Sequence, residues 1–210
     1  TLGTIILKEQ PETVYAHLNG TAKASVTALG DNLTYQWWIK DKGQSEFTRS
    51  AITEAEYTCT MTENTEGREI YCIVTDSKSG VSVQSNIITI RTALQITKDL
   101  KDVAVEMGQS AEISVSATGN ISTYEWYCKP QTALAFEKNT EFTSNSYTLS
   151  EMNEETNGCE VFCMITDAYG NKIKTQTVTL SAAVPQNSTL SISGDVNNDG
   201  ILDISDAIFL

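Results

Sequence analysis

Apolar and polar residues alternate with a period of two in several short stretches of this chain, and the stretches come twice. Ala22, Ala24, Val26 and Ala28 interleave with Lys23, Ser25 and Thr27, and downstream Ala111, Ile113, Val115 and Ala117 interleave with Glu112, Ser114 and Ser116. This is the period of a half-buried β-strand. Ile70, Cys72 and Val74 repeat it in the first copy, and Val161, Cys163 and Ile165 in the second. Each of these runs leads into a turn, Asp76-Ser77-Lys78-Ser79-Gly80 or Asp167-Ala168-Tyr169-Gly170, whose glycine can adopt positive φ. A final strand is expected after each turn, carrying Val81, Val83 and Ile87 in one copy and Ile173 and Val178 in the other. Long amphipathic helical patterns are absent from both copies.

The alternation is anchored by Tyr35-Gln36-Trp37-Trp38 and, one repeat later, Tyr124-Glu125-Trp126-Tyr127. Trp37 and Trp126 are separated by 89 residues, and Cys72 and Cys163 by 91. A period of that size is a domain length rather than a solenoid repeat. About seven short strands per copy, divided by turn signals, describe an antiparallel sandwich. The expected class is all-β, with each indole filling the centre of one core. Trp38 and Tyr127, one residue on, must face the opposite side of the strand, so they are the aromatics most available to a ligand; the alternative is that each is packed under a neighbouring side chain.

The domains are expected at 1–91 and 92–181, followed by a linker over 182–193 and a distinct segment over 194–210. The junction at Arg91-Thr92-Ala93 is short, which predicts an elongated pair with limited bending. Thr1 is not an initiator methionine, so the chain reads as a fragment or a processed product.

The net charge of -13 divides into -3 over residues 1–91, -6 over 92–174 and -4 over the remainder. Clustered Lys and Arg are absent, which argues against nucleic acid and anionic membranes as partners. No apolar run is long enough for a membrane span. His17 is the single histidine, and no Ser-His-Asp or Cys-His spacing or phosphate loop is present, so an enzyme is not expected. Cys59, Cys72, Cys128, Cys159 and Cys163 read as buried thiols; the alternative is one disulfide in the second copy, from Cys128 to Cys159 or Cys163. Asn19, Asn32, Asn120 and Asn187 stand in glycosylation sequons, read as chance matches.

The segment from Gly194 to Asp206 has definite chemistry. Counting from Asp195, oxygen side chains fall at Asp195, Asn197, Asp199, Asp203 and Asp206, with Gly200 at the sharp turn and Ile201 offering its backbone carbonyl. That spacing lets one EF-hand-like loop wrap around calcium (Ca2+), a hard cation that takes several oxygens. Asp206 stands where an EF-hand normally has Glu.

On Tyr-x-Trp followed by a single Cys and Thr-Asp before a glycine turn, both copies resemble the bacterial immunoglobulin-like repeats of surface and secreted proteins of anaerobic Gram-positive bacteria. The resemblance spans roughly residues 4–90 and 94–180. Two departures separate them from antibody-type domains. Ala24 and Val26, or Ile113 and Val115, stand where the first half of an inter-sheet disulfide would be, and Tyr71 is adjacent to Cys72 rather than two before it. The calcium loop and the start of helix after it resemble the first calcium repeat of a dockerin. That resemblance implies a cohesin-bearing scaffold as partner, contacted through Ile204 and Ser205. The implied function is a spacer or adhesion module of a secreted or cell-surface protein, with a glycan or host surface protein as a further partner. The alternative is a carbohydrate-binding module of a cellulosome-type protein, with Trp38 or Tyr127 stacking on a sugar.

Overall fold

The computed structural model describes residues 4–184, and the calcium-loop segment lies outside them. Among the described residues there is no helix. The first copy runs β1 (Ile6–Glu9), β2 (Val14–Ala16), β3 (Thr21–Ser25), β4 (Thr27–Leu29), β5 (Leu33–Lys40), β6 (Thr48–Arg49), β7 (Glu56–Thr60), β8 (Glu69–Asp76), β9 (Ser82–Gln84) and β10 (Ile88–Thr92). The second runs β11 (Gln95–Lys98), β12 (Val103–Val105), β13 (Ala111–Ser114), β14 (Ser116–Thr118), β15 (Ile121–Lys129), β16 (Glu137–Asn139), β17 (Ser146–Leu149), β18 (Cys159–Asp167), β19 (Lys172–Lys174) and β20 (Val178–Ala182).

The two copies share one topology. One layer has the order β2-β10-β8-β5-β6 with β9 on β8, matched by β12-β20-β18-β15-β16 with β19 on β18. The facing layer is made from β1-β4 and β3-β7, matched by β11-β14 and β13-β17. The first and last strands of each large sheet run parallel, Val14 opposite Ile90 and Val103 opposite Leu180, while the other pairings are antiparallel. These are two immunoglobulin-like β-sandwiches in tandem.

Each core closes around its indole. Trp37 and Trp126 are fully buried. The Nε1–H of Trp37 donates to the Glu54 carbonyl at 2.9 Å and that of Trp126 to the Ser144 carbonyl at 2.8 Å. Tyr57 and Tyr147 pack against them, each with ring centroids 5.6 Å away. The expected inward sets are buried: Ala22, Ala24 and Val26, then Ile70, Cys72 and Val74, with their second-copy counterparts. The alternating stretch over 22–28 is one line of side chains but two ladders, since β3 pairs with β7 while β4 pairs with β1. No disulfide ties the layers: all five cysteines are free, which removes the Cys128 bridge to Cys159 or Cys163.

The final strand differs from expectation. It is two short strands in each copy, and the residues that enter the core are Ile88 and Ile90, or Val178 and Leu180, whereas Ile87 is 51% exposed. The cause is a buried hydroxyl between the two pieces. The Ser85 amide donates to Cys72 O at 2.8 Å, its Oγ accepts from Cys72 N at 2.9 Å, and that hydroxyl donates to Asn86 O at 3.0 Å. Thr175 repeats all three contacts with Cys163 and Gln176. A side chain thus satisfies a backbone donor that the ladder leaves behind, and the chain changes phase across it.

The turns leaving β8 and β18 are fixed by Asp76 and Asp167. Asp76 accepts from Lys78 N at 2.9 Å and from the Ser79 hydroxyl at 2.8 Å. Asp167 accepts from Tyr169 N at 2.9 Å, Asn171 N at 2.8 Å and Asn171 Nδ2 at 2.8 Å. Gly80 and Gly170 close the turns at φ 74° and 88°. The Lys78 amide, then the Ser79 hydroxyl, hold the Asp76 carboxyl below its ordinary 3.8. Burial raises that of Asp167, but the Asn171 side chain and the turn amides outweigh it and hold it low as well.

Truncating Trp126 to Ala is expected to cost about 3–5 kcal/mol, the range for deleting a buried aromatic, read from urea denaturation of the whole chain. Because both turn carboxyls are depressed in the folded state, their contribution is present above about pH 4 and fades as pH falls through the folded values. Asp76→Asn together with Asp167→Asn should therefore flatten the acid limb of stability below about pH 4, measured by denaturation across that range.

Candidate interaction surface

The strand pleat that buries Trp37 turns Trp38 outward, and the pairing Trp38 to Tyr71 places a second outward ring beside it. The two rings lie parallel, 5° between planes and 6.3 Å between centroids, and Phe47 meets Tyr71 edge-on at 4.8 Å. The second copy builds the same trio: Tyr127 stacks on Phe162 at 4.8 Å and 9°, with Phe136 edge-on to Phe162 at 4.9 Å. Lysines cover both sets. Lys40 Nζ is 4.9 Å from the Phe47 ring and pairs with Glu69. Lys129 is 5.3 Å from Phe136 and 2.6 Å from Glu160, and Lys174 lies 4.0 Å over Phe162.

Trp38 and Tyr127 thus face away from the cores, yet they are half-buried and each is stacked on a cross-strand ring. The Nε1–H of Trp38 is buried with no acceptor among the described residues. Their partners were readable from the repeat: Phe47 and Phe136 each stand nine residues after Trp38 and Tyr127, and Tyr71 and Phe162 each precede the buried cysteine.

A groove opens in each copy where β5 or β15 begins. Leu33, Thr34, Tyr35, Gln36 and Arg49 line one of about 560 Å³, and Ser122, Thr123, Tyr124, Glu125 and Lys138 line its counterpart of about 340 Å³. In the first, Gln36 is held in place by donating to the Trp37 and Ser50 carbonyls at 2.9 and 2.7 Å while accepting from Arg49 Nε at 2.5 Å. In the second, Glu125 and Lys138 form an ion pair. Both grooves combine a half-buried tyrosine ring with polar groups that are hydrogen-bonded in the first and ion-paired in the second.

Reactive chemistry has little to work with. Among the described residues no three His, Cys, Asp or Glu side chains are grouped to hold a metal. Burial pushes the thiols of Cys72 and Cys163 up to about 11 and about 12, so neither is a thiolate nucleophile near neutral pH. The thiols of Cys59, Cys128 and Cys159 are likewise raised, chiefly by burial. No helix among the described residues is long and apolar enough to cross a membrane. The expected calcium ligands Asp195, Asn197, Asp199, Ile201, Asp203 and Asp206, and the scaffold contacts Ile204 and Ser205, lie outside the described residues.

No protein-family model matches the sequence, and no curated protein matches it. Solved structures with a similar backbone include the two domains of DIP-gamma IG1+IG2, at 15% identity over 86% of this chain and 98% of that one, with a TM-score of 0.39. The N-terminal four Ig domains of Dscam1 isoform 9.44 match at 14% identity over 87% and 46% of the two chains, TM-score 0.49. Extracellular domains 3–5 of Drosophila OTK match at 13% identity over 86% and 62%, TM-score 0.49. The chain spans about half the length of the Dscam1 fragment.

In native protein at pH 8, Cys72 and Cys163 are expected to resist an aromatic disulfide reagent and to react only after unfolding. Mass mapping of the labelled cysteines checks this, and rapid native labelling of either would contradict the buried, protonated thiols.

Proposed function

We propose that this chain is a non-catalytic spacer and adhesion segment of a secreted or cell-surface bacterial protein. In this reading the dockerin-like tail attaches it through calcium to a cohesin-bearing scaffold. The single observation that carries the proposal is the repetition of one sandwich with one outward aromatic face. A spacer needs successive rigid units, and an adhesive needs the same surface presented more than once. The oxygen spacing from Asp195 to Asp206 supports the attachment half. The attachment is tested by retention of the whole chain on immobilised cohesins with and without calcium. Binding that disappears with Asp195→Ala and Asp199→Ala is expected, and calcium-independent retention, or none on any cohesin, removes that half.

The second reading, a carbohydrate-binding module, is favoured by the outward rings Trp38 and Tyr127, each stacked on a cross-strand aromatic, and by the separate grooves that carry Tyr35 and Tyr124. Retardation in polysaccharide-containing native gels discriminates the two. A glycan binder slows and loses that retardation in the Trp38→Ala, Tyr127→Ala double variant, while a spacer migrates unchanged.

In this reading calcium belongs to the tail alone, on the oxygen spacing from Asp195 to Asp206. Chelation with EDTA should leave the melting temperature of both sandwiches unchanged, checked by calorimetry. A drop of several degrees would place a further ion within them.

A further inference from the structure

The connection between the sandwiches holds a contact that neither sandwich needs for itself. The chain stays tied to the first copy through Thr92 and Ala93, whose amide donates to Ala16 O at 2.7 Å, and β11 begins at Gln95. Tyr169, at the tip of the Asp167 turn of the second copy, reaches back to the foot of the first. Its hydroxyl donates to Glu66 Oε1 at 2.5 Å. The Arg91 guanidinium lies 3.9 Å from the centre of its ring, and the Tyr15 ring meets it edge-on at 6.2 Å and 73°. Arg91 Nη1 in turn donates to the Tyr15 hydroxyl at 3.1 Å. The other oxygen of Glu66 accepts from Thr92 N at 2.5 Å and Thr92 Oγ1 at 2.6 Å. One carboxylate therefore holds both the strand that leaves the first sandwich and the tyrosine of the second. Burial raises its pKa, but the Thr92 and Tyr169 hydroxyls and the Thr92 amide outweigh that, so it stays ionised as an acceptor for both.

The repeat supplies an internal control. By strand register, Tyr15, Arg91 and Thr92 correspond to Ala104, Ser181 and Ala182. Glu66 corresponds to Asn157, whose Oδ1 caps the Ala182 amide at 2.8 Å as Glu66 caps Thr92. The turn position of Tyr169 is taken by Lys78 in the first copy. The foot of the second sandwich is thus built, capped and closed without an aromatic ring, a guanidinium or a second carboxylate oxygen. The grip on Tyr169 is an addition to the fold, not a requirement of it.

We propose that the foot of the first sandwich is a receptor for a tyrosine-tipped turn of the module that follows. In this arrangement Tyr15, Glu66 and Arg91 read the ring and hydroxyl of Tyr169, and the contact, not merely the short connection, sets the angle between the modules. The partner it fits is a sandwich whose Asp turn carries an aromatic hydroxyl two residues on. Lys78 shows that a module of the first kind is not such a partner. The inference stands apart from the adhesion and attachment readings, and it makes the order of the two modules matter.

The test compares the rotational diffusion of the two modules in the whole chain by 15N relaxation. Wild type is expected to give one shared correlation time. Tyr169→Ala, and separately the triple change Tyr15→Ala, Glu66→Asn and Arg91→Ser that installs the second copy's own residues, should give two shorter and unequal times. Tyr169→Phe, which keeps the stacking and loses the hydroxyl, should fall between. Unchanged amide dispersion within each module verifies that the variants fold. Independent tumbling in wild type, or a shared correlation time that survives both Tyr169→Ala and the triple change, overturns the proposal.

Discussion

Everything in each sandwich depends on burying one indole without leaving its N–H unpaired. Two small sheets offer few large apolar residues, and no inter-sheet disulfide supplements them. Trp37 and Trp126 supply the bulk, and the Glu54 and Ser144 carbonyls, on the segments that cross from one layer to the other, accept their donors. An unpaired donor there would cost about 1–3 kcal/mol and offset much of what the ring contributes. The crossing segment is thereby pinned, and the facing layer is set at the distance the indole requires.

From that constraint the outer surface follows. A strand that turns Trp37 inward must turn its neighbours outward, and the antiparallel register then aligns outward rings on adjacent strands. The same register sets Lys40 beside Glu69 and Lys129 beside Glu160. The outer aromatics are therefore part of a covered layer, packed among rings and lysine stems. Their repetition in two modules is what an adhesive or glycan-binding role would use.

Much of the fold is legible in residues taken two at a time. The alternation at Ala22–Ala28 and Ile70–Val74, with Trp37 between, marks the inward faces, and Gly80 and Gly170 mark the turns. The final strand is misread for a definable reason: Ser85 and Thr175 are polar yet buried, and a hydroxyl that replaces a ladder acceptor breaks the period without any apolar signal. Asn19 and Asn32 belong to sequons by spelling, but their φ values of 66° and 49° show turn positions where asparagine is one of the few residues tolerated. The junction is less legible still. Tyr15, Glu66, Arg91 and Tyr169 share no period, and only their replacement by Ala104, Asn157, Ser181 and Lys78 at equivalent positions sets them apart. The cysteines are read as buried thiols from composition, and all five are free, with Cys72, Cys159 and Cys163 buried and Cys59 and Cys128 half-buried.

The parallel alignment of β2 with β10, and of β12 with β20, has a mechanical meaning. Tension transmitted along the backbone pulls these paired strands past one another, so their hydrogen bonds carry the load together instead of opening one at a time. With no covalent cross-link to stop it, a module that yields can pay out its whole contour, on the order of 300 Å for some 90 residues, and then close again around its tryptophan. Placed under load, a pair built this way would lengthen in steps, one module at a time.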